Sequence, residues 1–306
     1  MNIIVVGRNG QLAWELRHCL HVLGTVIAIG RPEVDLAEPD SVRRAIREYE
    51  PDVIVNAAAY TAVDQAEADR DLAFRVNADA PALMAEEAKR AGALFVTYST
   101  DYVFDGRKES PYTELDPANP LNTYAASKLA GDRAVEDVGG FSLILRTSWV
   151  YGPRGKNFLR TIMKLAVERE ELRVVDDQIG APTSSEDIAQ ATGQMIRHLA
   201  GHSRLQALGD RRGIYNLTSQ GSVSWCGFAR AIVEEMGRRR MNEERLAKVV
   251  PISTQDYPTA AARPKNSMLS NEKISRTFGV VLPDWKVSLP KVVEATEAFE
   301  AAKMGH

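Results

Sequence analysis

Tyr124 and Lys128 stand four residues apart in "TYAASKLAGD", and Thr100 closes an apolar run in "LFVTYSTDYVFDG". Residues four apart share one face of a helix. An ammonium beside a phenol favours the phenolate and lowers its pKa from a reference value of about 10. A tyrosine so tuned serves as general acid for a carbonyl oxygen that is receiving a hydride. The spacing alone is common, and most such pairs are an exposed tyrosine beside a solvated lysine. Here Thr100 and Asp101 follow an apolar strand pattern, and a glycine loop opens the chain, so the pair reads as catalytic.

That loop is Gly7-Arg8-Asn9-Gly10, followed by Gln11, Leu12 and Ala13 at the start of a helical pattern. Glycines let the backbone approach a pyrophosphate, and a helix N-terminus offers free N–H groups and partial positive charge. The GxxGxxA spacing sits between a strand and a helix, the context a dinucleotide site requires. A merely structural turn is the alternative. The second strand ends at Gly30-Arg31, where Arg31 would neutralise a 2′-phosphate and favour NADPH, or would be a surface arginine. Asp35 and Leu36 follow, placed for the adenine end of a cofactor. The third strand runs into Asn56-Ala57-Ala58-Ala59-Tyr60-Thr61, whose small residues leave room for a flat cofactor, although helix–sheet packing uses alanines equally.

These residues need strands to end at one edge. Buried strand patterns occur at residues 3–6, 25–29, 53–55, 94–98 and 143–145. Helical patterns lie between them at 11–23, 41–49, 72–91 and 124–138. Continuous apolar strands alternating with helices predict an α/β fold, a Rossmann-type doubly wound parallel sheet covered on both faces. After about Gly152 the rhythm changes, with helices near 158–169, 187–198 and 225–236 and little periodicity over 251–270. We therefore expect a dinucleotide-binding domain over 1–152. A smaller, less regular substrate-binding lobe is expected over 153–306, with segments free to return to the first domain. The cluster Arg238-Arg239-Arg240 reads as a solvated helix end.

Composition narrows the class. The chain has 306 residues, 44% hydrophobic, a formal net charge of −3 and a pI near 6.0, so nothing asks for nucleic acid or an acidic membrane as partner. Two cysteines, Cys19 and Cys226, make no disulfide framework, and the N-terminus lacks a basic signal-peptide region. No apolar run is long enough for a membrane span. A cytoplasmic location is the expectation. The five histidines are scattered and form no zinc pattern.

The strings "GRNGQLAWEL", "NAAAYTAVDQAE", "YSTDYVFDG", "PLNTYAASKLAGD", "RTSWVYG", "DDQIGAPT" and "ARPKNSML" spread over nearly the whole chain. With GxxGxxA and YxxxK, they make it resemble the extended short-chain dehydrogenases/reductases, and within them the dTDP-4-dehydrorhamnose reductase family. Ala13 departs from the family's usual glycine. The resemblance implies NADPH or NADH as cofactor and reduction of a sugar-nucleotide C4 ketone, for rhamnose-containing cell-envelope polysaccharide. It implies that Tyr124 donates the proton. Lys128 would bind the nicotinamide ribose and lower the tyrosine pKa, and Thr100 would hydrogen-bond the carbonyl. Thr61, Val63, Asp101, Tyr102 and Trp149 would surround the sugar. Packing in the core is the other use for Trp149 and Tyr102. Arg263 would pair diphosphate oxygens, assisted by Ser267, or would be a solvated loop arginine. Glu15 and Glu186 match acidic positions that related reductases associate with Mg²⁺ at a homodimer contact; two solvated glutamates are the plain alternative.

Related dehydratases carry an Asp-Glu pair after the threonine. Here Asp101 is followed by Tyr102, which favours plain reduction. Another sugar-nucleotide reductase or epimerase is the nearest alternative. A non-catalytic subunit similar to the regulatory subunit of methionine adenosyltransferase is the alternative from another class.

Overall fold

A computed structural model of the chain describes residues 1–200, 211–239 and 246–304. Strands β1 (Asn2–Val6), β2 (Thr25–Ile29), β3 (Val53–Asn56), β4 (Leu94–Thr100) and β5 (Ser142–Thr147) follow the apolar runs, with helices between them. These helices are α1 (Gln11–Leu20), α2 (Pro39–Tyr49), α3 (Arg70–Phe74), α4 (Ala80–Ala91) and α5 (Thr123–Val138). β3, β4 and β5 are buried at every residue, the signature of a sheet covered on both faces. The sheet is parallel throughout, and its order reverses between β1 and β3. A ligand crevice opens at such a reversal, outside the carboxyl ends of the strands.

Two expected helices differ. The one over 11–23 ends at Leu20, and His21–Leu23 tighten into a 3₁₀ turn. The pattern over 72–91 is interrupted by a π turn at Arg75–Asp79 between α3 and α4. Helix α5 crosses here so closely that a Cβ on Gly131 would lie 2.1 Å from the Asn77 carbonyl oxygen. Widening the helix by one residue accommodates that crossing and turns Asn77 inward, a use of π turns common near functional sites.

The second half begins with β6 (Val150–Tyr151), α6 (Phe158–Glu168), β7 (Glu171–Val175), β8 (Ile179–Gly180), β9 (Thr183–Ser184) and α7 (Ser185–Ala200). It continues through β10 (Gly213–Asn216), β11 (Val223–Ser224), α8 (Trp225–Arg239) and β12 (Lys248–Ile252). It ends with α9 (Glu272–Phe278) and α10 (Trp285–Met304). β10 joins the main sheet beside β5, giving six strands in the order β10-β5-β4-β3-β1-β2. Residues of α7 and α9 complete the core on the α1 face of that sheet. A separate core joins α6, α8, α10 and β7, with Phe228, Ile232, Trp285 and Leu289 buried together.

Arg238 and Arg239 are exposed at the end of α8, as expected, and Arg239 is also paired. Its Nε donates to Glu297 at 2.8 Å, tying α8 to α10, and Arg238 pairs with Glu235 at 2.7 Å. Arg240, His202 and His306 lie outside the described residues. Cys19 and Cys226 are free thiols on α1 and α8. Among the described residues no helix is long and apolar enough to cross a membrane.

Candidate active site

The glycine loop lies at the reversal. Gly7 has φ +115, and a Cβ there would approach the Ala57 carbonyl carbon to 3.1 Å, so only glycine lets the β1 and β3 loops meet. Gly10 is the N-cap of α1 and no side chain caps that end. The first N–H groups of α1, at Gln11 and Leu12, therefore face the crevice without a side-chain acceptor, an arrangement that fits a pyrophosphate. The Gln11 side chain does other work: it donates to Val150 O at 3.2 Å and accepts from Asn157 at 3.0 Å. Ala13 is fully buried, small enough for α1 to sit on the sheet.

Beyond β2, Arg31 is exposed and stands 3.8 Å from Asp35. A second guanidinium shares that edge. Arg8 donates through Nε to Ala28 O at 3.1 Å and pairs with Glu33 at 2.7 Å. Sequence reasoning passed over Arg8, although its place beside Gly7 is the available signal. Asp35 accepts from Ala37 N at 3.0 Å, and Leu36 packs against the α2 core.

Asn56 fixes the next loop by accepting from Ala58 N at 3.2 Å, and Ala59 is exposed. Tyr60 is held at both ends. Its N–H donates to Asn77 Oδ1 at 2.9 Å and its hydroxyl to Asp69 at 2.8 Å. Asn77 also donates to Ser127 Oγ at 3.0 Å, which donates to Tyr124 O at 2.7 Å. The π turn thus ties the crevice loop to the helix carrying Tyr124. Thr61 is exposed and Val63 half-buried after it.

Tyr124 and Lys128 both face β4. Lys128 is buried and its Nζ donates to Tyr98 O at 2.5 Å. Burial pushes its pKa down, and Asp132, one turn further on, opposes this. The Tyr124 hydroxyl is pushed up to about 12 by burial, opposed by the Thr100 hydroxyl. The expected lowering of the tyrosine by Lys128 is therefore not what this chain alone produces. Burial raises the phenol, and the ammonium is turned to the Tyr98 carbonyl.

Asp101 is buried and its Oδ1 accepts from Thr100 Oγ1 at 3.1 Å, while Oδ2 has no partner at hydrogen-bond distance. Burial raises its pKa to about 7, against the hydroxyls of Ser267 and Thr100. Ser267 lies 2% exposed near Asp101, and its Oγ donates to Ile179 O at 3.3 Å. Tyr102 stands edge-on to Tyr124 with centroids 6.4 Å apart. Below them Asp132 and Arg146 form a buried ion pair at 3.1 Å. Neither was visible as a site residue in the sequence.

A cavity of about 700 Å³ runs along α6, β7 and the loop before Arg263. Phe158, Trp225, Tyr257, Asp64 and Arg263 are among its walls. Trp149, expected to wall the sugar, packs behind the cavity wall at Trp225. It stacks on Trp225 at 3.5 Å and 6°, with φ +47, over Gly180, where a Cβ would meet the indole at 2.5 Å. Backbone strain of that kind persists only where packing over-determines it. Trp225 and Phe158 line this cavity, and the sequence reading passed over them; only their placement in space marks them.

Glu15 and Glu186 do come together, flanking Arg154 in a recess of about 260 Å³. Glu15 is raised to about 7 by burial and by Glu186. Among the described residues no group of three or more histidine, cysteine or carboxylate side chains could hold a metal. Within one chain, two carboxylates with a guanidinium beside them do not complete a magnesium shell, so this chain alone does not support the Mg²⁺ expected at a homodimer contact.

The family described as RmlD substrate binding domain matches residues 1–298. A dTDP-4-dehydrorhamnose reductase of Burkholderia thailandensis is 50% identical over 292 residues, covering 94% of this chain and 97% of that protein. A crystal structure of a dTDP-4-dehydrorhamnose reductase from Clostridium acetobutylicum superposes with a TM-score of 0.88 at 35% identity, covering 97% of this chain and 100% of that one. One from Bacillus anthracis, in complex with NADP, gives 0.85 at 34%, covering 95% and 98%.

Proposed function

The chain belongs to the RmlD family of dTDP-4-dehydrorhamnose reductases, and from that premise we propose that it reduces the C4 ketone of dTDP-4-dehydro-L-rhamnose to dTDP-L-rhamnose. The observation that carries this reading is that Tyr124 and Lys128 share the face of α5 turned to β4, which ends at Thr100 on the same sheet edge as the uncapped start of α1. A carbonyl donor and a dinucleotide loop thus open on one crevice.

Gly7, Gly10, Leu12, Ala58 and Tyr60 would hold NADPH or NADH, and Lys128 would bind its nicotinamide ribose. Bound, the nicotinamide supplies the hydride for sugar C4. Thr100 orients the carbonyl oxygen. As C4 gains the hydride, its oxygen becomes an alkoxide and takes the proton of the Tyr124 hydroxyl. A tyrosine raised to about 12 keeps that proton at neutral pH, so the acid form is ready before substrate binds. The phenolate left behind forms on the face it shares with Lys128, whose charge Asp132 supports. Arg8 and Arg31 offer two cations to a 2′-phosphate, which supports use of NADPH.

The test is NADPH consumption with dTDP-4-dehydro-L-rhamnose generated in situ, wild type against Tyr124→Phe. Removal of a general acid costs roughly 10²–10⁴ in kcat. A wild type that binds NADPH but consumes none with any 4-keto sugar nucleotide would make this chain a binding subunit.

A further inference from the structure

Three segments distant in sequence meet beside Tyr124. Asp64 and Glu67 lie in the loop after β3, Asn122 and Thr123 begin α5, and Ala261 to Arg263 precede the buried Ser267. Asp64 takes the Arg263 guanidinium end-on, with Nη1 to Oδ1 at 3.1 Å and Nη2 to Oδ2 at 2.7 Å. Nη1 also donates to Ala261 O at 2.8 Å, and Asp64 Oδ1 accepts from Ala261 N at 3.0 Å. A guanidinium has five N–H donors in a fixed plane. These contacts use both donors of Nη1 and one of Nη2. The remaining two, on Nε and Nη2, share one edge, the spacing that pairs two phosphate oxygens. Arg263 and Asp64 both line the 700 Å³ cavity. Asp64 therefore aims Arg263 without consuming it.

The same loop grips the catalytic helix. Glu67 accepts from Thr123 N at 2.8 Å and from Thr123 Oγ1 at 3.0 Å, one residue before Tyr124. Asn122 caps α5 by accepting from Ala125 N at 2.8 Å, and its Nδ2 donates to Ala262 O at 2.8 Å. We propose that Asp64, Glu67 and Asn122 form a positioning frame that holds the phosphate-facing edge of Arg263 at a set span from Tyr124, matched to a nucleoside diphosphate sugar. The inference rests on the reading under Proposed function and deepens it.

The test is dTDP binding by calorimetry to wild type, Asp64→Asn, Arg263→Ala and the double variant. Asp64→Asn weakens dTDP roughly tenfold, the loss expected when a charge-assisted hydrogen bond is misaimed. The double variant binds no worse than Arg263→Ala, because Asp64 acts through Arg263. If Asp64 served only as a negative charge, its removal would tighten dTDP. Tighter or unchanged binding, or additive effects, overturns the frame. Glu67→Ala keeps dTDP affinity within about twofold while kcat falls roughly tenfold, and Glu67→Gln restores it in part. A Glu67→Ala enzyme with unchanged kcat also overturns the frame, and thermal melts exclude a folding defect as the cause of a loss. Wild type that does not bind dTDP overturns the proposed function and the frame with it. Wild type that binds while the variants match it overturns the frame alone.

Discussion

A phenol raised by burial is a proton store, and Tyr124 is one at every pH near neutrality. Its neighbour Asp101 shows the opposite cost. Burial moves that carboxyl from 3.8 to about 7, so the folded state holds its proton more tightly than the unfolded chain. For an acid raised on folding, stability declines as pH rises from about 4 to about 7 and is level above. Asp101→Asn removes the burial penalty on the charge. Its melting temperature should exceed that of wild type at pH 8 by a few degrees, roughly 1.4 kcal/mol per pKa unit relieved, and the gap should close toward pH 4. A variant that melts below wild type at pH 8 would contradict this. At the cofactor end, Arg8 is anchored by Ala28 and Glu33 whereas Arg31 is exposed. Arg8→Ala should therefore lower the ratio of kcat/KM with NADPH to that with NADH by about tenfold or more, and Arg31→Ala by less. Equal effects would return selectivity to Arg31.

At the scale of elements, α5 is the part on which the site depends, and its fit against the π turn makes a test with an unusual sign. Gly131 lies inside that helix, where alanine normally stabilises by about 0.5–1 kcal/mol. Here the added Cβ would meet the Asn77 carbonyl oxygen at 2.1 Å. Gly131→Ala should destabilise by about 1–3 kcal/mol in thermal melts, the range of core overpacking, and lower kcat as Asn77 loses Ser127. An unchanged or raised melting temperature would show that the π turn yields freely. The helical pattern over 72–91 was legible because its apolar residues recur at helical spacing. The π turn was not, because its cause is a partner helix some fifty residues away.

For the whole molecule, the aromatic stack of Trp149 on Trp225 joins the end of β5 to the start of α8, beside the cavity. Trp225→Ala removes a cavity wall and the support of Trp149 together. We expect KM for the sugar nucleotide to rise roughly tenfold while KM for NADPH holds, since the stack lies away from the glycine loop. A change shared by both constants would mean that the variant loosens the fold instead. The main sheet also draws on both halves of the chain: β10 pairs with β5, and α7 covers α1.

What the sequence determined by itself was whatever neighbours along the chain decide. Strand-then-glycine-then-helix marked the dinucleotide loop. Four-residue spacing put Tyr124 and Lys128 on one face, and the apolar run before Thr100 brought it to a strand end. The Asn122 cap of α5 was not read from the sequence, although it stands just before the helical pattern. The tertiary structure alone decided what depends on segments far apart: Asp64 on Arg263, Asn122 on Ala262, Trp149 on Trp225, and Asp132 on Arg146 beneath Lys128. It also decided protonation. Spacing predicts which charges can meet, but desolvation raised Tyr124 and Asp101, and desolvation is a property of everything packed around a group.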